Sequence, residues 1–501
     1  MSSNEGFRRR RRAFVADALL AVHWNGGKEQ TECQTESGRR SCAVRAGRGL
    51  ILVVLSLGIC ACAARPPGLE APSPRALGSD LRVYEAPKDL AVSGPVAEFK
   101  EPRGSLTLRE ALSFALLNNP ELAAFSWEIR AREAQELQAG LRPNPEFGVE
   151  VENFGGSGSL SGFEGSEATI WLGQLIELGG KRSKRAQVAS LERGLASWDY
   201  ESRRMDVFAE VAKSFFAVLA AQERVALAES LSRIAERATE RVAERVRAGA
   251  ASSVDRTRAQ VAFATATLER NGVTRALAIA RNRLAALWGA PEATFSEAVG
   301  ELEEVRTPPS LTDLMQRVGN NPELARWVYE LEQRRAAVAA EKANGIPNVL
   351  IAGGFRRLND EDNNAFVTAV SVPLPLFDRN QGATQAARYR LAKARHELRA
   401  EEVAVRNALA EGYELLAAAF EEVVSLRDHV LPLAAEALQS AENAYLRGRF
   451  RYLEVLDTQR TLFELRGRYV AALTAYHSAA ADVERLIGEP LDAATPTGGR
   501  P

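Results

Sequence analysis

Residues 195–248 read LASWDYESRRMDVFAEVAKSFFAVLAAQERVALAESLSRIAERATERVAERVRA and contain neither glycine nor proline. An average globular helix has about 11–12 residues, whereas this stretch and its flanks predict a helix of roughly 50–70 residues, about 80–100 Å long. Its apolar residues recur at spacings of three, four and seven: Phe208, Val211, Phe215, Val218 and Val225. This spacing, interrupted by the polar Gln222, is typical of a coiled-coil seam.

The landmarks around this helix occur twice in the chain. The tetrapeptide Asn-Pro-Glu-Leu begins at Asn119 and again at Asn321. Three later landmarks return at a constant offset of 199 residues: Gly249 as Gly448, Gln260 as Gln459 and Gly289 as Gly488. A constant offset means that the intervening segments match without gaps, which indicates a duplicated unit.

Each unit also contains two strand-like segments with alternating or β-branched residues, near 146–153 and 168–176 in the first and near 348–356 and 365–373 in the second. A Gly/Ser-rich loop, 155–165, joins the first pair. Strands of about 8–10 residues are long enough to cross a bilayer when tilted, but the smallest membrane barrels need about eight of them. Either several chains share one barrel, or these are edge hairpins of a soluble protein.

The amino-terminal region has the pattern of a lipoprotein signal. Arg45 and Arg48 precede an apolar run, 49–58, which ends in small residues around Cys60 and Cys62. The run is too short to span a membrane and is typical of a secretory signal. We expect residues 1–61 to be leader and signal, with translation starting after residue 43, and Cys62 to be acylated; Cys60 is the alternative. Residues 62–104 would then form an extended, lipid-anchored segment.

Composition argues against several classes of protein. The chain has 501 residues, a net charge of −1 and 26% charged residues, which is unlike a basic nucleic-acid binder or a disordered protein. The mature chain would keep one cysteine, and its three histidines are expected on helix surfaces without metal-ligand spacing: His396, His429 and His477. We found no catalytic, phosphate-binding or metal motif and expect no enzyme, no cofactor and no metal site.

The order of these elements resembles the TolC family of outer-membrane efflux channels over residues 106–490. Residues 174–182, QLIELGGKR, and 373–382, PLPLFDRNQG, resemble the branch that exports cobalt, zinc, cadmium and copper. The resemblance implies a mainly α fold with a small β part, in which long coiled-coil helices and a two-stranded hairpin form repeats 105–300 and 301–490. It also implies a homotrimer with a twelve-stranded β-barrel on an α-helical periplasmic tunnel. The tail, 491–501, is expected to be disordered.

The same resemblance implies a function and partners. The protein would be the passive exit duct of a tripartite system, anchored in outer-membrane lipid and extending into the periplasm. Its partners would be a periplasmic adaptor protein and an inner-membrane pump of the resistance-nodulation-division type. A duct for drugs or other small molecules is the nearest alternative, and a lipid-anchored coiled-coil scaffold without a pore is the alternative from a different class.

Gly249 and Gly448 stand where each long helix turns back, at points that suit a left-handed backbone. In the family these turns are the tips at which the adaptor docks, although a plain helical hairpin would look the same in sequence. Pro432, inside the second long helix, predicts a kink.

Four further residues match the family's periplasmic gate by position. Glu454 and Asp457 match acidic rings that narrow the tip, and an ordinary solvated helix face is the alternative. Asp255 and Tyr445 match a pair that links neighbouring hairpins in a closed family member. Phe450 stands where that member has an arginine, so that member's ion pair has no counterpart here.

Overall fold

The structure is a computed structural model and describes residues 74–88 and 103–492. Cys60, Cys62, the leader and almost all of the tail lie outside the described residues. The described chain divides into two compact units that cut across the sequence repeats. Residues 141–183 and 342–381 form the hairpin unit, and residues 74–88, 103–140, 184–341 and 382–492 belong to the helical unit.

The first repeat contains β1 Gly104–Thr107, α1 Leu108–Asn118, α2 Pro120–Ala139, β2 Glu146–Glu152, β3 Glu167–Ile176, α3 Lys181–Arg247, α4 Ser253–Ala286 and β4 Phe295–Val299. The second contains α5 Leu311–Arg317, α6 Pro322–Asn344, β5 Val349–Leu358, β6 Asn363–Ser371, α7 Gln381–Ser425, α8 Leu431–Leu446 and α9 Tyr452–Ile487. The mainly helical fold with small sheets and the four strands expected in the repeats are confirmed.

The long helices are confirmed as well. α3 has 67 residues, which corresponds to about 100 Å of helix. In the second repeat, α7 and α8 are separated by a π-helical turn, Leu426–Val430, and Pro432 is the second residue of α8. A proline lacks the N–H that a regular helix needs, and π-turns are a recognised way of accommodating such an irregularity. The helix is therefore irregular directly before Pro432, while the kink itself stays a prediction.

The repeated Asn-Pro-Glu-Leu motif is a buried helix cap. The Asn119 side chain accepts from the backbone N–H of Leu122 at 3.0 Å and donates through Nδ2 to the Leu287 carbonyl at 2.8 Å. Asn321 does the same 202 residues later, donating to the Leu486 carbonyl at 2.9 Å. Each asparagine thus caps the start of one helix and holds the carboxyl-terminal end of the helix that closes its repeat.

The apolar seam of α3 packs into a mixed core rather than against a single partner helix. β1 and β4 form a parallel two-stranded sheet that the sequence reasoning missed. Val211, Phe215 and Val218 share one buried cluster with Phe295 of β4. Gln222 makes two hydrogen bonds with the backbone of Ala298, donating at 2.9 Å and accepting at 2.8 Å. The polar interruption in the seam therefore binds the edge of this sheet.

The hairpin unit is a four-stranded antiparallel sheet in the order β2-β3-β5-β6. The loop predicted at 155–165 contains a short 3-10 turn, Gly158–Leu160, and Phe154 stacks on Phe163 across it at 5.4 Å. None of the helices in the described ranges is both long enough and apolar enough to cross a membrane.

Residues 74–88, predicted as part of an extended linker, are bound to the helical unit. The Leu77 N–H donates to the Gly488 carbonyl at 3.2 Å, and the Ala86 N–H donates to Ser126 Oγ at 2.8 Å. Beneath them lies an ion pair between Arg204 and Glu201, whose side chains are only 2% and 7% exposed. The segment is therefore fixed by hydrogen bonds rather than left as a free tether.

The expectation that all three histidines lie on helix surfaces is wrong for His477. Its ring is buried, stacks on Phe216 at 3.8 Å and hydrogen-bonds through Nε2 to the Leu302 carbonyl at 2.8 Å. Burial lowers the pKa of His477, so the neutral ring is favoured. His396 and His429 are exposed, as expected.

Candidate functional site

The two helix reversals have the same backbone geometry. Gly249 and Gly448 adopt φ values of +71° and +73°, in the left-handed region that glycine enters without a Cβ penalty. In the first tip turn, residues 248–252, the Ala250 N–H donates to the Arg245 carbonyl at 2.8 Å. In the second tip turn, residues 447–451, the Arg449 N–H donates to the Ala444 carbonyl at 2.9 Å. Both are Schellman-type helix ends, as the repeated glycines predicted.

The helices that leave the two turns begin differently. Ser252 caps α4, accepting from the Asp255 N–H at 3.1 Å, while the Asp255 carboxylate accepts from the Ser252 N–H at 3.2 Å and from its hydroxyl at 2.8 Å. Asp255, predicted as a gate residue, is therefore half of a capping box within its own turn. At the equivalent place in the second turn, Arg451 precedes α9 and provides no side-chain cap.

Tyr445 and Tyr452 lie between the two helical hairpins of the chain, which are α3 with α4 and α8 with α9. Arg245 lies over the Tyr445 ring, with its guanidinium carbon 4.6 Å from the centroid, and the Tyr445 and Tyr452 rings are 5.8 Å apart. Tyr452 is 6% exposed and lies in a small cluster with Val242 and Ala259, which belong to the other hairpin. The structure thus places Tyr445 in a contact between hairpins, where its ring meets Arg245 and Tyr452.

Glu454 and Asp457 lie on the first two turns of α9, three residues apart and therefore on one face of the helix. Both are exposed. Exposed carboxylates can attract cations from solution without binding them as fixed ligands. Within the described residues, no group of three or more His, Cys, Asp or Glu side chains could hold a metal ion. The pair can therefore act on ions only through its field, or together with other chains.

The sheet of the hairpin unit has two unlike faces. One carries exposed apolar residues in cross-strand register: Val149, Ile170, Phe355 and Phe366. On the other face, Arg356 binds the Glu167 carboxylate at 2.7 Å and Thr169 Oγ1 at 2.9 Å. Trp171 lies on that face across Gly148, where an added Cβ would clash with the indole. Phe366 is 90% exposed, so the apolar face has no cover within the described chain.

Comparison with known proteins places this geometry in a family. The family model for outer membrane efflux proteins matches residues 111–290 and 315–489, one match for each repeat. The chain belongs to the outer membrane efflux protein family. The family is one of efflux proteins, in agreement with the expectation that the chain is not an enzyme.

Two relatives and one solved structure are particularly similar to this efflux protein. The cobalt-zinc-cadmium resistance protein CzcC of Cupriavidus metallidurans is 37% identical over 78% of this chain and 91% of its own length. The nickel-cobalt-cadmium resistance protein NccC of Alcaligenes xylosoxydans xylosoxydans is 27% identical over 62% of this chain and 69% of its own length. A crystal structure of CusC matches with a TM-score of 0.65 at 18% identity, covering 84% of this chain and 99% of that one, and supports the fold.

Tyr452 and Arg245 are the tip residues that sequence reasoning missed. The repeat itself carried the clue, because the offset of 199 residues pairs Tyr452 with Ser253 and Tyr445 with Val246. Two aromatic residues at one tip, where the other tip has a serine and a valine, indicate that the second tip contributes the larger apolar side chains to the packing.

Proposed function

We propose that this efflux protein is the outer-membrane exit duct of a heavy-metal cation exporter. The observation that carries the proposal is the 37% identity to a cobalt-zinc-cadmium resistance protein along 91% of that protein's length. The second relative, whose name refers to nickel, cobalt and cadmium, points to the same class of cargo. The duct itself performs no chemistry, and energy would come from its partners.

The working form would be a homotrimer. In the described sheet, β2 and β6 are the two edge strands, and their directions allow antiparallel pairing between one copy and the next. Three copies would close twelve strands into a barrel, which removes both edges. The exposed apolar face around Phe366 would then contact lipid, and the face with Arg356 and Glu167 would line the interior.

The anchor and partners belong to the same proposal. Acylated Cys62 would hold each chain in outer-membrane lipid. The turns at Gly249 and Gly448 would present six tips per trimer to the periplasmic adaptor, which would connect the duct to an inner-membrane resistance-nodulation-division pump.

At the tip, Glu454 and Asp457 would form acidic rings in the trimer that concentrate and hold back cations. Tyr445 and Asp255 would belong to the periplasmic gate. The capping box of Asp255 supports a role in shaping the first tip turn, and the contact of Tyr445 with Arg245 supports a role in holding the hairpins together.

Cargo is tested in a strain that has the cognate pump and adaptor but lacks this channel. Restored growth in Co²⁺, Zn²⁺ or Cd²⁺ but not in hydrophobic drugs is expected. Restoration against drugs alone would favour the drug duct and refute the metal cargo.

The acidic rings are tested separately by single-channel recording in planar bilayers with Co²⁺ added at the periplasmic side. Glu454→Gln combined with Asp457→Asn should weaken block by Co²⁺, whereas Glu436→Gln, which alters an exposed carboxylate of α8, should leave the block unchanged. Equal block in both variants would remove the rings from the proposal. Trimers that never conduct, either as wild type or as variants at Asp255 and Tyr445 that open the tip contacts, would favour a scaffold without a pore.

A further inference from the structure

The second tip is held by packing at the place where the first is held by a cap. Ser252 and Asp255 satisfy the start of α4 with a reciprocal capping box, whereas Arg451 gives α9 no side-chain cap. The next residue of α9 is Tyr452, at the repeat position of the exposed Ser253. The two hairpins therefore use different means to fix their returning helices.

Tyr452 reaches from the second hairpin into the first. Its ring is buried against Val242 of α3 and Ala259 of α4, which are 1% and 0% exposed, with Ala238, Val246, Tyr445 and Leu456 at the margin. Val242 and Ala259 belong to the two helices on either side of the first tip turn. The ring therefore contacts both arms of the neighbouring hairpin, and moving the hairpins apart would uncover it.

The hydroxyl of Tyr452 has no hydrogen-bond partner within the described chain although it is buried. Burial raises the pKa of Tyr452 to about 12, so the phenol is neutral. A buried hydroxyl without a partner opposes the packing that buries it, since water would bond the group if the hairpins separated. The apolar contacts of the ring and the position of its hydroxyl thus act in opposite directions.

We propose that Tyr452 is the positioning residue of the tip: its ring wedges the second hairpin against the first, and its unpartnered hydroxyl keeps that contact weak enough to open. The inference rests on the proposed exit duct and deepens it, because Glu454 and Asp457 follow Tyr452 on the same helix by two and five residues. Where Tyr452 holds α9, it also sets where the two carboxylates stand. Arg245 over Tyr445 adds a second contact between the same hairpins.

Three substitutions in the full-length trimer separate ring from hydroxyl. Tyr452→Phe keeps the ring and removes the unpartnered hydroxyl, so the packed state should gain about fivefold or more in population. Tyr452→Ala removes the wedge and should favour separated hairpins by at least about tenfold. Leu453→Ala alters the neighbouring side chain, which is about half exposed, and should leave the populations of packed and separated hairpins unchanged.

Hydrogen exchange of the amides in residues 247–254 and 447–454 reads the packed state without requiring a channel. Tyr452→Ala should speed exchange in both tips, and Tyr452→Phe should slow it in both. Faster exchange confined to the second tip in Tyr452→Ala would show a local role and overturn the wedge. Faster exchange in Tyr452→Phe would show that the hydroxyl is bonded and overturn the second half of the proposal.

Bilayer recording of the same variants reads the function. Open probability should fall in Tyr452→Phe and rise in Tyr452→Ala, and Tyr452→Ala should also shift the Co²⁺ concentration for half-block although Glu454 and Asp457 are intact. An unshifted half-block would show that Tyr452 does not position the carboxylates. Trimers that exchange as expected but never conduct would refute the exit duct and leave the wedge standing.

Discussion

Replacing Arg204 should release residues 74–88 from the helical unit. The Arg204 guanidinium binds both oxygens of Glu201 at 2.8 Å and donates to the carbonyls of Leu77 at 2.9 Å and Arg75 at 3.1 Å. Glu201 in turn accepts from the Arg75 N–H at 2.6 Å. A single buried ion pair thus supports three backbone groups of the amino-terminal segment.

Loss of the guanidinium is costly because Glu201 stays buried. Arg204→Met leaves the Glu201 charge buried without its partner, which costs about 3–5 kcal/mol. At about 1.4 kcal/mol per factor of ten, the segment should open at least about a hundredfold more often. In the double variant with Glu201→Leu no charge is left unpaired, so part of this loss should be recovered.

Hydrogen exchange measures the opening directly. The amides of Leu77, Tyr84 and Ala86 are bonded to Gly488, Leu116 and Ser126, and their protection should fall at least about a hundredfold in Arg204→Met. Lys213→Met, which removes the partly exposed Lys213–Asp482 pair, is the control and should cost at most about 1 kcal/mol. Equal protection in Arg204→Met and Lys213→Met would show that the Arg204–Glu201 pair does not hold residues 74–88 in place.

Three further predictions concern stability and are read by thermal or denaturant unfolding. Gly448→Ala should lower the free energy of unfolding by about 1–2 kcal/mol through its left-handed φ alone, because the new Cβ meets no atom within 4 Å. Gly467→Ala, inside α9, should stabilise the protein instead, and changes of the same sign in both variants would contradict this prediction. Asn321→Ala should cost about 2–4 kcal/mol, since it removes a helix cap and leaves the Leu486 carbonyl unpaired. Ser310→Ala, at the exposed cap of α5, should cost about 1 kcal/mol. Burial raises the pKa of Glu484 from 4.5 to about 7, so ionising it in the folded protein is unfavourable. This penalty is absent below pH 4.5 and complete above about pH 7. The free energy of unfolding of Glu484→Gln should therefore rise by about 2–3 kcal/mol relative to wild type between pH 5 and pH 8. A difference that does not change with pH would exclude the raised pKa of Glu484.

The sequence was most informative where one pattern runs over many residues. The 67 residues of α3 and the alternating strands of the hairpin unit could be predicted because periodicity accumulates over their length. β1 and β4 have only four and five residues and pair in parallel across nearly 200 positions, so no local pattern marks them. His477 was misplaced for a related reason, because only the neighbouring helices decide whether a helical residue is covered.

The candidate site was predictable in its turns and not in its contacts. Gly249 and Gly448 could be found because a left-handed residue selects glycine. The partners of Tyr445 and the burial of Tyr452 depend on how two hairpins pack, which spacing along one helix does not contain. Asp255 shows the reverse case, since its capping box with Ser252 is a local pattern that positional matching to a gate overlooked.

The two buried asparagines bear on the order in which the chain can assemble. Asn119 donates to the Leu287 carbonyl and Asn321 to the Leu486 carbonyl, so in each repeat the donor and the acceptor of this hydrogen bond belong to the same repeat. The first repeat therefore needs no residue of the second repeat to form its own capping bond. β3, in contrast, can pair with β2 of its own repeat, but its other edge has no partner until β5 is available. The capping bond of the first repeat can thus form within that repeat, whereas the outer edge of β3 depends on the second repeat, which leaves that edge exposed to wrong pairing before assembly.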